Sequence, residues 1–293
     1  MKKQSIAIIG LGLIGGSIAK ALTVQKCGYR ILACDHKEKT LQRAQAAGWV
    51  DSWSVDPKEV AKEADIVVLC VPVCSMFDLT QEIAPVMPQG SVLTDVGSVK
   101  GILEKELQNL LPIGIDYVGG HPMAGSEKSG LDASDAGLFV GRPFVIIPAG
   151  NAKAESVDKV KTLAKDLRAV PVVMNSTEHD LATAMVSHMP HLLSAALMLT
   201  AVGDEAASNS KYLAAGCFRD MTRVSGADPR MWTDICLTNK EAILTQLAKV
   251  QSLLSYVGEQ VAEGDEEWLM DFFTKARVGR EQFGMSLIDG KGE

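Results

Sequence analysis

The chain lacks an excess of basic charge: its 293 residues hold 29 Lys plus Arg against 36 Asp plus Glu, a net charge of −7. That balance excludes the electrostatic footprint of a general nucleic-acid binder. A long apolar run is missing as well. The longest, residues 192–202, is interrupted by Ser194 and Thr200 and falls short of the ~20 residues a membrane span needs. No signal-peptide pattern opens the sequence, because the apolar stretch of MKKQSIAIIG ends at once in a glycine-rich turn. Internal repeats and low-complexity segments are absent. Cys70 and Cys74 are spaced C-x₃-C, yet no second Cys or His pair lies at a matching interval, so no metal site is expected. Most of the six cysteines (27, 34, 70, 74, 217 and 236) sit in apolar surroundings, where a free thiol behaves as a small hydrophobe. The expected location is the cytoplasm.

What is present suffices for a sizeable core: 47% of residues are hydrophobic and 22% charged. At about 150 residues per domain the length predicts two domains. The first half alternates short apolar runs with helix-period segments. Residues 5–9, 29–34, 64–71 and 91–95 read as strands, and 13–26, 37–47 and 76–84 as helices. Further runs at 144–147 and 170–173 flank a helical stretch, 153–167, and extend the sheet. Strands apolar throughout, separated by helices, predict a parallel sheet covered on both faces. Beyond about residue 174 the strand signal stops. Residues 178–202, 205–218, 231–250, 251–263 and 268–283 read as helices, more apolar than a small lone bundle needs. A second subunit is the expected cover.

The turn Gly10-Leu-Gly12-Leu13-Ile14-Gly15 follows the first strand and opens the first helix. Gly10 permits a tight turn, Gly12 lets the backbone approach a pyrophosphate, and Gly15 lets helix and strand pack closely. The phosphates would meet the free amides of the helix N-terminus. Asp35 ends the next strand, 20 residues past Gly15, where an acid accepts hydrogen bonds from ribose hydroxyls and repels a 2′-phosphate. NAD is therefore expected over NADP, with Lys37 and Lys39 softening the discrimination. Val71-Pro72, at a later strand end, lies on the same edge.

Polar residues of interest come next. Asp95-Val-Gly-Ser98-Val-Lys100 follows a strand end, and a glycine-dense loop, Gly119-Gly-His121-Pro-Met-Ala-Gly-Ser126-Glu127, carries one of only five histidines. A histidine in such a turn is an acid/base candidate. Three more, at 179, 188 and 191, cluster at the start of the helical half. His188 and His191 flank Pro190, which should kink their helix. Either could be the base instead, with His121 packing the loop. His-x-x-His is also half a metal site, but no carboxylate lies at a ligand interval, which favours structural or substrate-binding roles. Arg219-Asp220-Met-Thr-Arg223 puts two arginines on one helix face: a salt-bridged surface, or a guanidinium fork for a carboxylate.

The segments GLGLIGGS, DVGSVK, HPMAGSEKSG, SHMPH and FRDMTRVSGADPRMW together resemble the prephenate/arogenate dehydrogenases of tyrosine biosynthesis, over residues 4–285. The resemblance implies an α/β fold with a Rossmann-type parallel-sheet domain, 1–174, followed by an all-helical dimerisation domain, 175–293. It implies NAD-dependent oxidative decarboxylation of prephenate to 4-hydroxyphenylpyruvate, or of arogenate to tyrosine, by a homodimer. Carried over, His121 takes the ring hydroxyl's proton and Ser98 orients that histidine and the nicotinamide. Arg223 grips the ring carboxylate, and His191, Ser126 and Glu127 line the pocket. Asp220 and Trp232 resemble residues reaching in from the partner subunit. The cofactor set is Gly10, Gly12, Leu13, Ile14, Gly15, Asp35, Val71, Pro72 and Ser98. A neutral His121 is required, so activity should rise with pH through its pKa. Too few residues follow the last helix for the tyrosine-sensing domain of some relatives, and no fused chorismate mutase is expected. Direct competition by tyrosine at the site is compatible with this reading. Two alternatives stand beside it. A β-hydroxyacid dehydrogenase would carry a catalytic lysine where this chain has SHMPH. A non-catalytic NAD sensor would have no use for a proton acceptor.

Overall fold

In the computed structural model, which describes residues 3–125, 128–203 and 209–284, the apolar segment Ser5–Ile9 forms a fully buried strand, β1. The glycine turn then leads into α1 (Leu13–Val24), and β2 (Arg30–Cys34) returns parallel to β1, Ser5 opposite Arg30 and Ile9 opposite Cys34. Alternation continues through α2 (Glu38–Ala46), β3 (Ser52–Ser54), α3 (Pro57–Ala61), β4 (Ile66–Leu69), α4 (Val73–Ile83), β5 (Val92–Asp95) and α5 (Gly101–Leu110). Because side chains alternate across a strand, β1 feeds two cores. Ile6 and Ile8 pack with Ile18 and Leu22 of α1 and Leu41 of α2. Ala7 and Ile9 pack with Met76 and Ile83 of α4 and Leu103 and Leu107 of α5.

The sheet is completed by β6 (Asp116–Pro122), β7 (Pro143–Pro148) and, after α6 (Ala154–Asp166), β8 (Val170–Val173). Its order is β3-β2-β1-β4-β5-β6-β7-β8. The expected parallel sheet is parallel from β3 through β6, while β7 runs antiparallel to β6 and β8 follows β7. Among its described residues the link between β6 and β7 holds no crossover helix, and only a crossover can return a strand parallel to its predecessor. His121, read from sequence as a loop residue, lies on β6. The glycines before it serve close strand packing: a Cβ at Gly120 would lie 2.5 Å from the Asp95 carbonyl oxygen.

After β8, an Asn175–Glu178 capping box starts α7 (Ser176–Thr183), which runs through a π-helical turn, Ala184–His188, into α8 (Met189–Gly203). The kink expected at Pro190 takes this form, since a wider turn accommodates the missing donor and the ring. The whole stretch Ser176–Gly203 is long and apolar enough to cross a membrane by length and composition, which the run at 192–202 alone did not suggest. Its polar residues His179, Asp180 and His188 are buried inside the fold.

The remaining helices are α9 (Ser210–Leu213), α10 (Gly216–Thr222), α11 (Pro229–Thr238), α12 (Lys240–Glu263) and α13 (Glu266–Gln282). The helix expected over 205–218 is two short pieces in its described part. The one expected over 231–250 breaks at Asn239, whose backbone leaves the helical region, and residues 240–263 form one helix. Contacts divide the chain into one unit ending at Ile243 and another beginning at Leu244. Within the second, Trp268 stacks on Phe272 and meets Tyr256 edge-on at 5.1 Å between ring centres.

A Cβ on Gly15 would fall 1.9 Å from the Gly10 carbonyl oxygen, which is backbone and cannot step aside. Gly15→Ala should therefore cost about 1–3 kcal/mol of overpacking strain. A thermal melt should show Tm lowered by roughly 2–10 °C. An unchanged Tm would mean the turn is slack.

Candidate active site

The carboxyl ends of β1, β4, β5 and β6 converge on one edge of the sheet, where open α/β sheets bind ligands. Gly10 sits at φ +99° with its missing Cβ 2.5 Å from the Cys70 carbonyl oxygen and 3.1 Å from Val71. Gly12, by contrast, faces open space, and no side chain caps the start of α1 at Leu13 and Ile14 among the described residues. Amides pointing into an open cradle fit a pyrophosphate. Asp35 braces that cradle: its carboxylate accepts from Leu11 N at 2.9 Å and from Lys37 N at 2.9 Å. Pro72 begins α4 beside it.

Beneath this edge lies a buried polar cluster. Lys100, wholly enclosed, is paired with the equally buried Asp95. The Tyr117 hydroxyl donates to Asp95 at 2.7 Å and Gly97 N donates at 2.6 Å. Burial pulls the Lys100 ammonium below its ordinary pKa, opposed by the Asp95 carboxylate. Burial also pushes the Tyr117 phenol well up, keeping it a neutral donor.

Above the cluster, three side chains form a hydrogen-bonded line. His121 Nδ1 lies 2.8 Å from His179 Nε2, the rings edge-on at 73°, and His179 Nδ1 lies 2.7 Å from Asp180 Oδ1. Asp180 also accepts from Lys100 N at 2.8 Å and Gly101 N at 2.7 Å, so a carboxylate 79 residues away in sequence from Gly101 caps α5. A carboxylate only accepts, so His179 Nδ1 carries a proton. With His179 Nε2 as the acceptor of their contact, His121 donates from Nδ1 and presents Nε2 as its acceptor nitrogen. Burial holds the His121 pKa well below 6.5, with His179, Lys100 and His188 adding to the effect. The rise of activity with pH expected for this base is thereby displaced to the acid side of neutrality.

A second histidine pair lies nearby. Asn239 Nδ2 donates to the Asp180 carbonyl at 3.0 Å and contacts His188 Nδ1 at 3.2 Å, which makes Nδ1 an acceptor. Burial lowers His188 to about 4. His191 Nδ1 donates to the Ser187 carbonyl at 3.0 Å, and its ring stacks on Trp232 at 3.6 Å. Burial lowers the His191 pKa, and the Arg223 guanidinium is close enough to lower it further.

The structure thus brings His121, His191, Trp232 and Arg223 into the same unit of one chain. Trp232, whose family match pointed to the partner subunit, stacks within its own chain. Asp220 is exposed at the end of α10, and Arg223 follows that helix in a short 3₁₀ turn, also exposed. Ser98 lies half-buried in the turn after β5, but no hydrogen bond joins it to His121, whose Nδ1 is taken by His179. Ser126 and Glu127 lie outside the described residues. Sequence reasoning missed His179, Asp180 and Asn239 as members of this arrangement. The only signal was the histidine cluster itself, because a separation of 58 residues between partners leaves no spacing to read.

A dinucleotide cradle on the same sheet edge as a half-buried, neutral imidazole is the arrangement of a dinucleotide-dependent dehydrogenase. Comparison narrows the class. Residues 18–173 match the family description "Prephenate dehydrogenase, nucleotide-binding domain", and residues 175–275 match "Prephenate dehydrogenase, dimerization domain". The prephenate dehydrogenase of Lactococcus lactis is 37% identical over 96% of this chain and 77% of its own length. The cyclohexadienyl dehydrogenase of Zymomonas mobilis is 34% identical over 94% of this chain and 95% of its own. The crystal structure of prephenate dehydrogenase from A. aeolicus in complex with hydroxyphenyl propionate and NAD+ superimposes with a TM-score of 0.89 at 29% identity, covering 97% of this chain and 99% of that one. The chain belongs to the prephenate dehydrogenase family.

Buried neutral histidines make the fold acid-sensitive. His188 titrates at about 4 when folded and near 6.5 when unfolded. The unfolded chain therefore binds more protons in that window, and stability falls as pH falls through it. From pH 7 to 5, His188 alone should remove about 2 kcal/mol. Urea unfolding of His188→Asn at the two pH values should show a drop smaller by that amount. An identical drop in both proteins would refute the assignment.

Proposed function

We propose that the protein oxidises and decarboxylates prephenate to 4-hydroxyphenylpyruvate with NAD as cofactor. The observation that carries this reading is His121, kept neutral by its surroundings and held through Nδ1 by His179, on the same sheet edge as the open glycine cradle. The C4 hydroxyl of prephenate donates to that nitrogen, and His121 takes its proton as C4 is oxidised. When bound, the nicotinamide supplies the acceptor for the hydride leaving C4. Loss of the ring carboxylate as carbon dioxide then makes the ring aromatic and draws the reaction forward. The resulting phenolate recovers the proton from His121, so no net proton is produced.

Arg223, beside the His191–Trp232 stack, is the partner for the ring carboxylate. His191 and Trp232 offer a flat wall for the substrate ring. Asp220, Ser126 and Glu127 complete the pocket on the strength of the family match, and Ser98 serves the nicotinamide side. Gly10, Gly12, Leu13, Ile14 and Gly15 hold the pyrophosphate. Asp35 favours NAD by facing the ribose, with Val71 and Pro72 on the same rim. The cofactor domain is taken as 1–174 and the helical domain as 175–293.

A homodimer through the helical half belongs to the same reading. Leu197, Leu199 and Val202 of α8 are exposed, as are Leu253, Leu254, Met270 and Phe273 of α12 and α13. Apolar surface on that scale marks an interface. All six cysteines are free thiols, which supports a reducing, cytoplasmic location.

The experiment is steady-state NADH formation with prephenate and with arogenate, each with NAD and NADP. Prephenate with NAD should give the highest kcat/KM, and a higher value with arogenate would overturn the substrate assignment. Losing a charge-assisted contact costs roughly 2–4 kcal/mol. Arg223→Ala should accordingly raise KM for prephenate by tens- to hundreds-fold with little change in KM for NAD. If both stay put, Arg223 is a surface residue.

A further inference from the structure

The line His121–His179–Asp180 does more than fix a tautomer. We propose that His179 and Asp180 are positioning residues that take up the positive charge of the base during turnover: as His121 Nε2 accepts the substrate proton, its Nδ1 proton passes to His179, and it returns before the proton is given back after decarboxylation. This rests on His121 being the base of the proposed reaction.

The geometry supplies each step. His121 Nε2 takes the C4 hydroxyl proton while its Nδ1–H still points at His179 Nε2, 2.8 Å away. The Nδ1–H bond then breaks as a bond to His179 Nε2 forms. His121 returns to neutrality, now protonated on Nε2, and His179 carries both ring protons. Its Nδ1–H remains on Asp180 Oδ1 at 2.7 Å, so the positive charge is placed against a carboxylate rather than beside Lys100. Reversal gives the proton back to the phenolate oxygen once carbon dioxide has left. Atoms and charge balance, and no further reagent is needed.

The surroundings explain why a second acceptor is useful. His121 is faced by Lys100 from the turn after β5, by His179 from α7 and by His188 from the π-helical turn, all raising the cost of charge on its own ring. Lys100 is in turn paired with Asp95, which also accepts from Tyr117. Only at the far end does a carboxylate face an imidazole directly. Asp180 is held there by three elements: the amides of Lys100 and Gly101 at the head of α5, its own helix α7, and Asn239, which fixes its carbonyl. A Cβ on Gly101 would lie 2.9 Å from Asp180 Oδ2, so that approach requires glycine.

The test uses the full chain with NAD and prephenate, in wild type, His179→Gln, Asp180→Asn, His121→Asn and the double variant His121→Asn/His179→Gln. His179→Gln leaves the Asp180 cap on α5 in place and so remains informative if Asp180→Asn fails to fold. Expected for each relay variant is a kcat about 10- to 100-fold lower, with KM for prephenate within several-fold and NAD affinity unchanged. Expected for the double variant is a kcat no lower than that of His121→Asn alone, because the relay acts only through His121. The proposal is overturned if His179→Gln keeps its kcat, or if it lowers kcat by the same factor with and without His121. A wild type inert toward prephenate, or a fully active His121→Asn, would instead overturn the function on which the proposal rests.

Discussion

The Asp180 carboxylate is the point on which the site depends. It takes two backbone N–H groups from the head of α5 and one imidazole N–H from His179, and it is almost wholly buried. A buried carboxylate is costly unless its lone pairs are filled, and three donors fill them, two of them the amides at the head of α5. Through those bonds the first helical segment after the sheet is joined to the turn that carries Ser98. Through His179 the same carboxylate is linked to Nδ1 of His121. Remove it, and two amides and an imidazole lose their partner together, a loss of the size seen when buried charged networks are broken, about 3–5 kcal/mol.

Charge is otherwise kept out of the reacting region. Lys100 is neutralised from below by Asp95, Tyr117 is held as a neutral donor, and His121 and His188 are both pulled below their ordinary pKa by burial. An uncharged imidazole can accept a proton at neutral pH, and an apolar setting strengthens each contact it makes. The same burial that keeps His121 and His188 neutral makes the fold less stable in acid.

Much of this was legible in the residue order. The glycine turn, Asp35 and the apolar strands announced a dinucleotide domain because each is a local feature with a fixed spacing. The motifs around His121, SHMPH and Arg223 pointed to the chemistry. Three things were not legible. Gly119-Gly120 resemble a loop, yet they are strand residues, Gly120 kept small by the Asp95 carbonyl, which only the neighbouring strand reveals. The antiparallel β6–β7 pair depends on a connection without a crossover helix, a property of topology rather than periodicity. The His121–His179 contact joins strand and helix across 58 residues, and no local pattern encodes a partner at that distance.

The central claim is that a neutral His121, fixed by its neighbours, is the proton acceptor. The direct measurement is kcat and KM for prephenate in His121→Asn against wild type from pH 5 to 9. A positioned base is worth about 10²–10⁴ in rate, so kcat should fall by that factor with KM changed only several-fold. Wild-type activity should rise with pH on the acid side of 6.5, and that rise should be missing in the variant. A His121→Asn enzyme that retained most of its kcat with the wild-type pH profile would contradict the account.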